Sequence, residues 1–167
     1  MERVKTVTWD DPSKSAEAVK KLSGIEWLRA MARREVPPPP LGDVLGFYLD
    51  KIEEGKVVIT LEPAEFHYNP LGVLHGGVAA TLFDSSLGCA VQSLLPPAYI
   101  APTLQLQVNY VRPVTVQTGK VFCSGTVIHL GKRSATAEGR LTDGSGKLYA
   151  HGTGTFILMG PEDATAR

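Results

Sequence analysis

The stretch NPLGVLHGGVAATLFDSSLGCAVQSLL, Asn69 to Leu95, decides how this chain folds. From Gly76 onward Ala79, Leu82, Phe83, Leu87, Ala90, Val91 and Leu94 recur at the three-to-four spacing of a helix. Gly76-Gly77 opens the run and Pro96-Pro97 stops it. The other face carries Thr81, Ser85, Ser86, Cys89 and Gln92, all small or uncharged, so the helix is expected to be buried nearly all round. Asp84 stands in the middle of it. Either it is an interior helical carboxylate, or it caps a helix that begins at Ser85. The apolar spacing runs through Asp84 without a break, which favours the first reading.

Outward from this stretch the charge changes. The 167 residues carry 17 basic and 17 acidic side chains, a formal net charge of zero. Residues 1–65 hold 10 basic and 12 acidic side chains, and residues 112–167 hold 7 and 4. Between them, residues 66–111 contain one charged side chain, Asp84. That window is therefore expected to be the interior of the protein, where a lone carboxylate must be paired, hydrogen-bonded or beside a cleft. Such a carboxylate is a candidate general base or nucleophile. Overall neutrality argues against a nucleic-acid partner, which calls for a basic surplus. Two cysteines exclude a disulfide scaffold, and Cys89 and Cys123 are expected to be reduced core thiols. Residues 73–95 are too polar to cross a membrane, and the first ten residues show no signal peptide, so a cytoplasmic location is expected.

Before the central run, residues 13–34 have a helical pattern broken at Ser23-Gly24, followed by an extended Pro37–Pro40 linker. Residues 1–40 form a helical N-terminal extension, residues 41–160 the main domain and residues 161–167 a tail. Residues 46–53 and 56–62 make a hairpin around Glu54-Gly55. After the helix, strand-like runs cover residues 103–111, 120–130, 134–142 and 147–158. No helix-length segment separates them, so the sheet is antiparallel. Gly125, Gly139, Gly152 and Gly154 inside these strands mark close approach of another element. The fold class is α+β: a five- to six-stranded antiparallel sheet around one long central helix.

The Gly pair at the helix start offers backbone N–H groups to an anion or a developing oxyanion, or it is a simple turn. The pattern N-x-x-G-x-x-H-G-G, with Asp seven residues after the second Gly, resembles the PaaI-type branch of hotdog-fold acyl-CoA thioesterases. Residues 23–49, Thr103–Pro113, His129–Leu141 and the run after Asp143 resemble the same branch, so about residues 23–158 are covered. The resemblance implies the hotdog fold and hydrolysis of an aromatic, short- or medium-chain acyl-CoA. It implies that Gly76 N–H holds the thioester carbonyl, and that Asp84 activates water or attacks the carbon. Asn69 and Thr103 would position water and substrate, and His75 would orient the thioester or support the loop. Taken alone, His75, Asn69 and Thr103 are equally an ordinary turn histidine, turn asparagine and strand threonine.

Gly76 and Asp84 lie eight residues apart, about 12 Å along one helix. An oxyanion donor and a base must each stand about 3 Å from the reacting group, so one helix cannot supply both. Two antiparallel copies can, and a homodimer, possibly paired into a tetramer, is expected. Arg112, Lys132, Arg133 and Ser134, at strand ends and turns, are candidates for holding the phosphates of coenzyme A, which is part of the substrate rather than a cofactor. They are also what a solvated surface carries. His67, His75, His129 and His151 lack ligand spacing, so no metal is expected. Cys89 as nucleophile lacks an activating base. The alternatives are a non-catalytic acyl-CoA-binding hotdog module and, third, a hotdog dehydratase, which carries a different His motif.

Overall fold

A computed structural model describes residues 2–166; Met1 and Arg167, the last residue of the expected tail, lie outside the described residues. Three short helices come first: α1 (Ser13–Ala18), α2 (Gly24–Ala32) and α3 (Pro40–Leu45). Strands β1 (Phe47–Glu53) and β2 (Lys56–Leu61) form the expected hairpin. The long helix α4 (Gly76–Gln92) follows, then β3 (Thr103–Tyr110), β4 (Val121–Leu130), β5 (Ser134–Asp143) and β6 (Leu148–Ile157). All six strands join one antiparallel sheet in the order β1-β2-β4-β5-β6-β3. This is the expected α+β hotdog architecture. Residues Pro161–Ala166 of the tail turn as a short 3-10 helix.

The sheet can wrap α4 because three of its strands drop their side chains beneath the helix. Gly125 pairs with Gly139, and Gly139 with Gly152, so bare backbone crosses three strands in one row. A Cβ on Gly125 would come within 2.4 Å of the Ser86 carbonyl oxygen. Phe83 and Leu87 fill this contact and are fully buried, each stabilising the fold by about 1.5–3 kcal/mol.

The N-terminal extension joins the same core. Leu28 and Met31 of α2 are buried in the main apolar cluster with Phe47, Ile59 and Phe83. Helix α2 starts at Ser23, whose N–H donates to Glu26 in a capping box. Its first residue, Gly24, donates its N–H to the Leu95 carbonyl at 2.9 Å, just past the end of α4. The proline run is not extended throughout. Pro40 becomes the first residue of α3, where its fixed φ suits a helix start, and Gly46 at φ +81° ends that helix.

Two expectations are corrected here. Helix α4 is not buried all round, because Gly77 and Asp84 are exposed and Thr81, Ser85 and Gly88 half-exposed. The sheet covers only part of the helix, and the periodicity could not separate small residues facing a partner or cavity from small residues in a core. Nor is the uncharged window all interior: Phe66, Leu71, Leu104 (61% exposed) and Tyr110 (57%) lie on the surface. The last two sit on β3, an edge strand with no strand beyond it among the described residues. Among the described residues no helix is long and apolar enough to cross a membrane.

Candidate active site

Helix α4 begins at His75, its N-cap, whose Nδ1 accepts from Gly77 N–H at 2.9 Å. That bond puts the ring proton of neutral His75 on Nε2. Gly76 N–H, at the positive end of the helix dipole, meets no acceptor among the described residues. The Tyr110 hydroxyl, from the far end of β3, donates to Gly76 O at 2.8 Å and covers this turn. Beside it lies a cavity of about 380 Å³ lined by Asn69, Gly76, Tyr110, Arg112 and Tyr149. Asn69 faces inward on its own loop: its Oδ1 accepts from Leu71 N–H at 2.9 Å, as an ordinary turn asparagine would. Arg112 donates to the Leu148 carbonyl at 2.7 Å. Behind the cavity the Ser145 hydroxyl, the Lys147 N–H and the Tyr149 hydroxyl hold the Asp143 carboxyl down to about 2.

Asp84 sits on the unbroken interior of α4, which rules out the capping role. It is exposed rather than interior. Its Oδ1 accepts from the Thr103 hydroxyl, the first residue of β3, at 2.7 Å. No partner meets Oδ2 among the described residues. A carboxylate held at one oxygen and open at the other can take a proton from water or attack an electrophile. Next to it, burial and the Asp84 charge push the Cys89 thiol up to about 12, so Cys89 stays protonated and is no nucleophile at neutral pH. Asp84 opens onto a second cavity of about 860 Å³, bounded by Cys89, Thr103 and the N-terminal helices.

Two half-sites thus occupy opposite ends of β3. Gly76, Asn69 and Arg112 gather at the Tyr110 end; Asp84 and Thr103 gather at the Thr103 end. The turn of Lys132, Arg133 and Ser134 belongs to the second end, where Leu158 N–H donates to the Arg133 carbonyl and Ile157 N–H to the Pro102 carbonyl. Lys132, Arg133 and Ser134 line neither cavity. Sequence reasoning missed Tyr110 and the extension's share of the larger cavity. Tyr110 has the same strand parity as Leu104, Leu106 and Val108, which made it one more apolar residue of that face. Nothing in the sequence signals where the extension docks.

A family model described as the thioesterase superfamily matches residues 71–150, which include Gly76, Asp84, Thr103 and Arg112 but not Asn69. The 1,4-dihydroxy-2-naphthoyl-CoA hydrolase of Listeria monocytogenes is 31% identical over 108 residues, covering 65% of this chain and 86% of its own. Among solved structures, the PaaI protein of E. coli superposes with a TM-score of 0.71 over 84% of this chain and 97% of its own, at 23% identity, a likeness of fold. A Streptococcus mutans protein solved bound to acetyl CoA gives a TM-score of 0.62 at 27% identity, over 68% of this chain and 89% of its own. On these grounds the chain belongs to the thioesterase superfamily and is a thioester hydrolase of the hotdog fold.

Proposed function

We propose that the protein hydrolyses an aromatic, short- or medium-chain acyl-CoA at a site shared by two copies of the chain. The observation that carries this reading is the division of the half-sites along β3. Its Thr103 end holds Asp84 and its Tyr110 end holds Gly76, while the strand's outer edge has no partner among the described residues. Pairing two such edges antiparallel about a two-fold axis brings the Asp84 end of one copy to the Gly76 end of the other. The same pairing brings Arg112 of one copy toward Lys132 and Arg133 of the other, a set of cations suited to the phosphates of coenzyme A. The names of the Listeria relative and the acetyl CoA in the Streptococcus structure support that substrate class.

In this reading the thioester oxygen accepts from Gly76 N–H of one copy. Asp84 of the other copy, steadied by Thr103, takes a proton from water as the water attacks the carbonyl carbon. The tetrahedral intermediate then expels the coenzyme A thiolate, which recovers the proton from Asp84. If Asp84 instead attacks directly, an acyl anhydride forms and water cleaves it. Single turnover in oxygen-18 water separates the two, because only the direct route can leave label in the protein.

The test is thiol release from a panel of acyl-CoA substrates. Asp84→Asn is expected to lower kcat by about 10²–10⁴-fold with an unchanged melting temperature. Turnover by Asp84→Asn at the wild-type rate refutes the assignment. Binding of acyl-CoA without turnover by the wild type points instead to a non-catalytic binding module.

A further inference from the structure

The larger cavity runs along α4 from Asp84 past Gly88 and Cys89 to Gln92, and its far wall is the N-terminal extension. Helix α1 gives Ser15, Ala16 and the following Val19; α2 gives Trp27 and Met31. Strand β1 closes the side with Phe47 and Leu49. The cavity therefore lies on the open side of α4, the side the sheet leaves uncovered. Its wall is chiefly apolar, and Ser15, Asp43 and Gln92, polar groups in it, already hold partners. Ser15 Oγ accepts from Trp27 Nε1 at 3.2 Å, Asp43 meets Arg34 at 3.0 Å, and the Gln92 amide donates to the Tyr99 carbonyl at 2.9 Å. Asp43 Oδ2 and Gln92 Oε1 meet no partner among the described residues, so the apolar character of the chamber comes from the side chains around them.

Resting on the thioesterase reading, we propose that this cavity is the acyl chamber and that the N-terminal extension sets its length, selecting an aliphatic acyl chain of about ten carbons. The length follows from the helix. Asp84 to Gln92 spans eight residues, about 12 Å of rise. A saturated chain advances about 1.25 Å per carbon, the projection of a 1.5 Å bond, so about ten carbons reach from the carboxylate to Gln92. Small residues at Ser85 and Gly88 leave the helix side of that path open. The 860 Å³ volume falls within the usual range for small-molecule sites, about 300–1,000 Å³, and exceeds what an acetyl group needs.

Trp27 gives a readout that needs no catalysis. In the 167-residue chain carrying Trp9→Phe, Trp27 is the remaining tryptophan. Decanoate brominated at its terminal carbon is expected to quench Trp27 fluorescence saturably. Decanoate brominated beside the carboxylate is expected to quench it far less. In hydrolysis, kcat/KM is expected to rise several-fold for each two-carbon step from butyryl-CoA to about ten carbons, then fall. Ala16→Phe, which fills the chamber from the exposed face of α1, is expected to lower the decanoyl-to-butyryl ratio of kcat/KM by about tenfold. Equal quenching by the two bromodecanoates, an acetyl or aromatic optimum, or an unchanged ratio in Ala16→Phe overturns the proposal. Position-dependent quenching with no thioester cleaved upholds the chamber and refutes the catalytic reading. Cleavage with no quenching by either acid does the reverse.

Discussion

His67 takes no part in the proposed chemistry, yet its ring ties down the chain at the foot of α4. Its Nδ1 accepts from Ala64 N–H at 3.0 Å and its Nε2 donates to the Leu45 carbonyl at 2.7 Å. Its own carbonyl accepts from His75 N–H at 2.8 Å, one residue before the candidate oxyanion donor. Burial lowers the His67 pKa below 6.5; the bond to Leu45 opposes this and the Lys5 charge adds to it. With the folded value depressed, the unfolded chain takes up the proton first as pH falls. The stability His67 contributes is therefore complete above about pH 6.5 and is lost as pH drops through the folded value. Urea unfolding followed from about pH 7.5 down to 5 is expected to show that decline, and His67→Gln to flatten it; a flat wild-type profile contradicts the linkage. Residues of this kind were poorly legible in the sequence. Asp84 stood out because it is the one charge in 46 positions. The bonds from Thr103 and Tyr110 join residues 19 and 34 positions away, and no local pattern announces them.

Among the elements, α4 was legible almost to the residue, because seven apolar positions repeat at helical spacing and Gly and Pro pairs bound them. The strands were legible from alternation and turn glycines. What periodicity could not supply was which side of α4 the sheet leaves open. Thr81, Ser85 and Gly88 are small enough for a core, a partner or a cavity, and only the tertiary arrangement distinguishes these. The glycine row, by contrast, was readable as close approach, and the structure supplies its object. Gly125→Ala would drive a methyl into the Ser86 backbone, which no rotamer change relieves. It is expected to cost at least about 1–3 kcal/mol by chemical denaturation. Gly144→Ala, where the added carbon meets nothing within 4 Å, is the control expected to stay within about 0.5 kcal/mol. Equal losses at the two positions contradict the packing account.

For the whole molecule, the uncharged window was mistaken for a protein interior when part of it is the surface of β3, apolar but uncovered. A sequence records that a residue avoids water, not whether its own chain or a second copy provides the shelter. The proposed sharing of the site between two copies makes a quantitative test available. His75 already has the extended backbone (φ −59°, ψ 133°) that a following proline demands, and the first helical position favours proline. Gly76→Pro therefore removes the candidate oxyanion donor while suiting the helix start, the Tyr110 ring 3.3 Å from the added Cβ giving way by a few tenths of an ångström, and is expected to be inactive alone, as is Asp84→Asn. Co-refolded in equal amounts, the two give about half mixed dimers, each with one intact site in two, so about a quarter of wild-type activity returns. No recovery refutes the shared site. The junction of Gly24 with Leu95 has its own consequence at this scale. Because the Gly24 amide bonds beyond the end of α4, the extension that walls the larger cavity cannot swing away from α4 without releasing that proton to solvent. The hydrogen–deuterium exchange rate of this one amide thus becomes a clock for the opening of the wall, and a bound acyl chain should slow it.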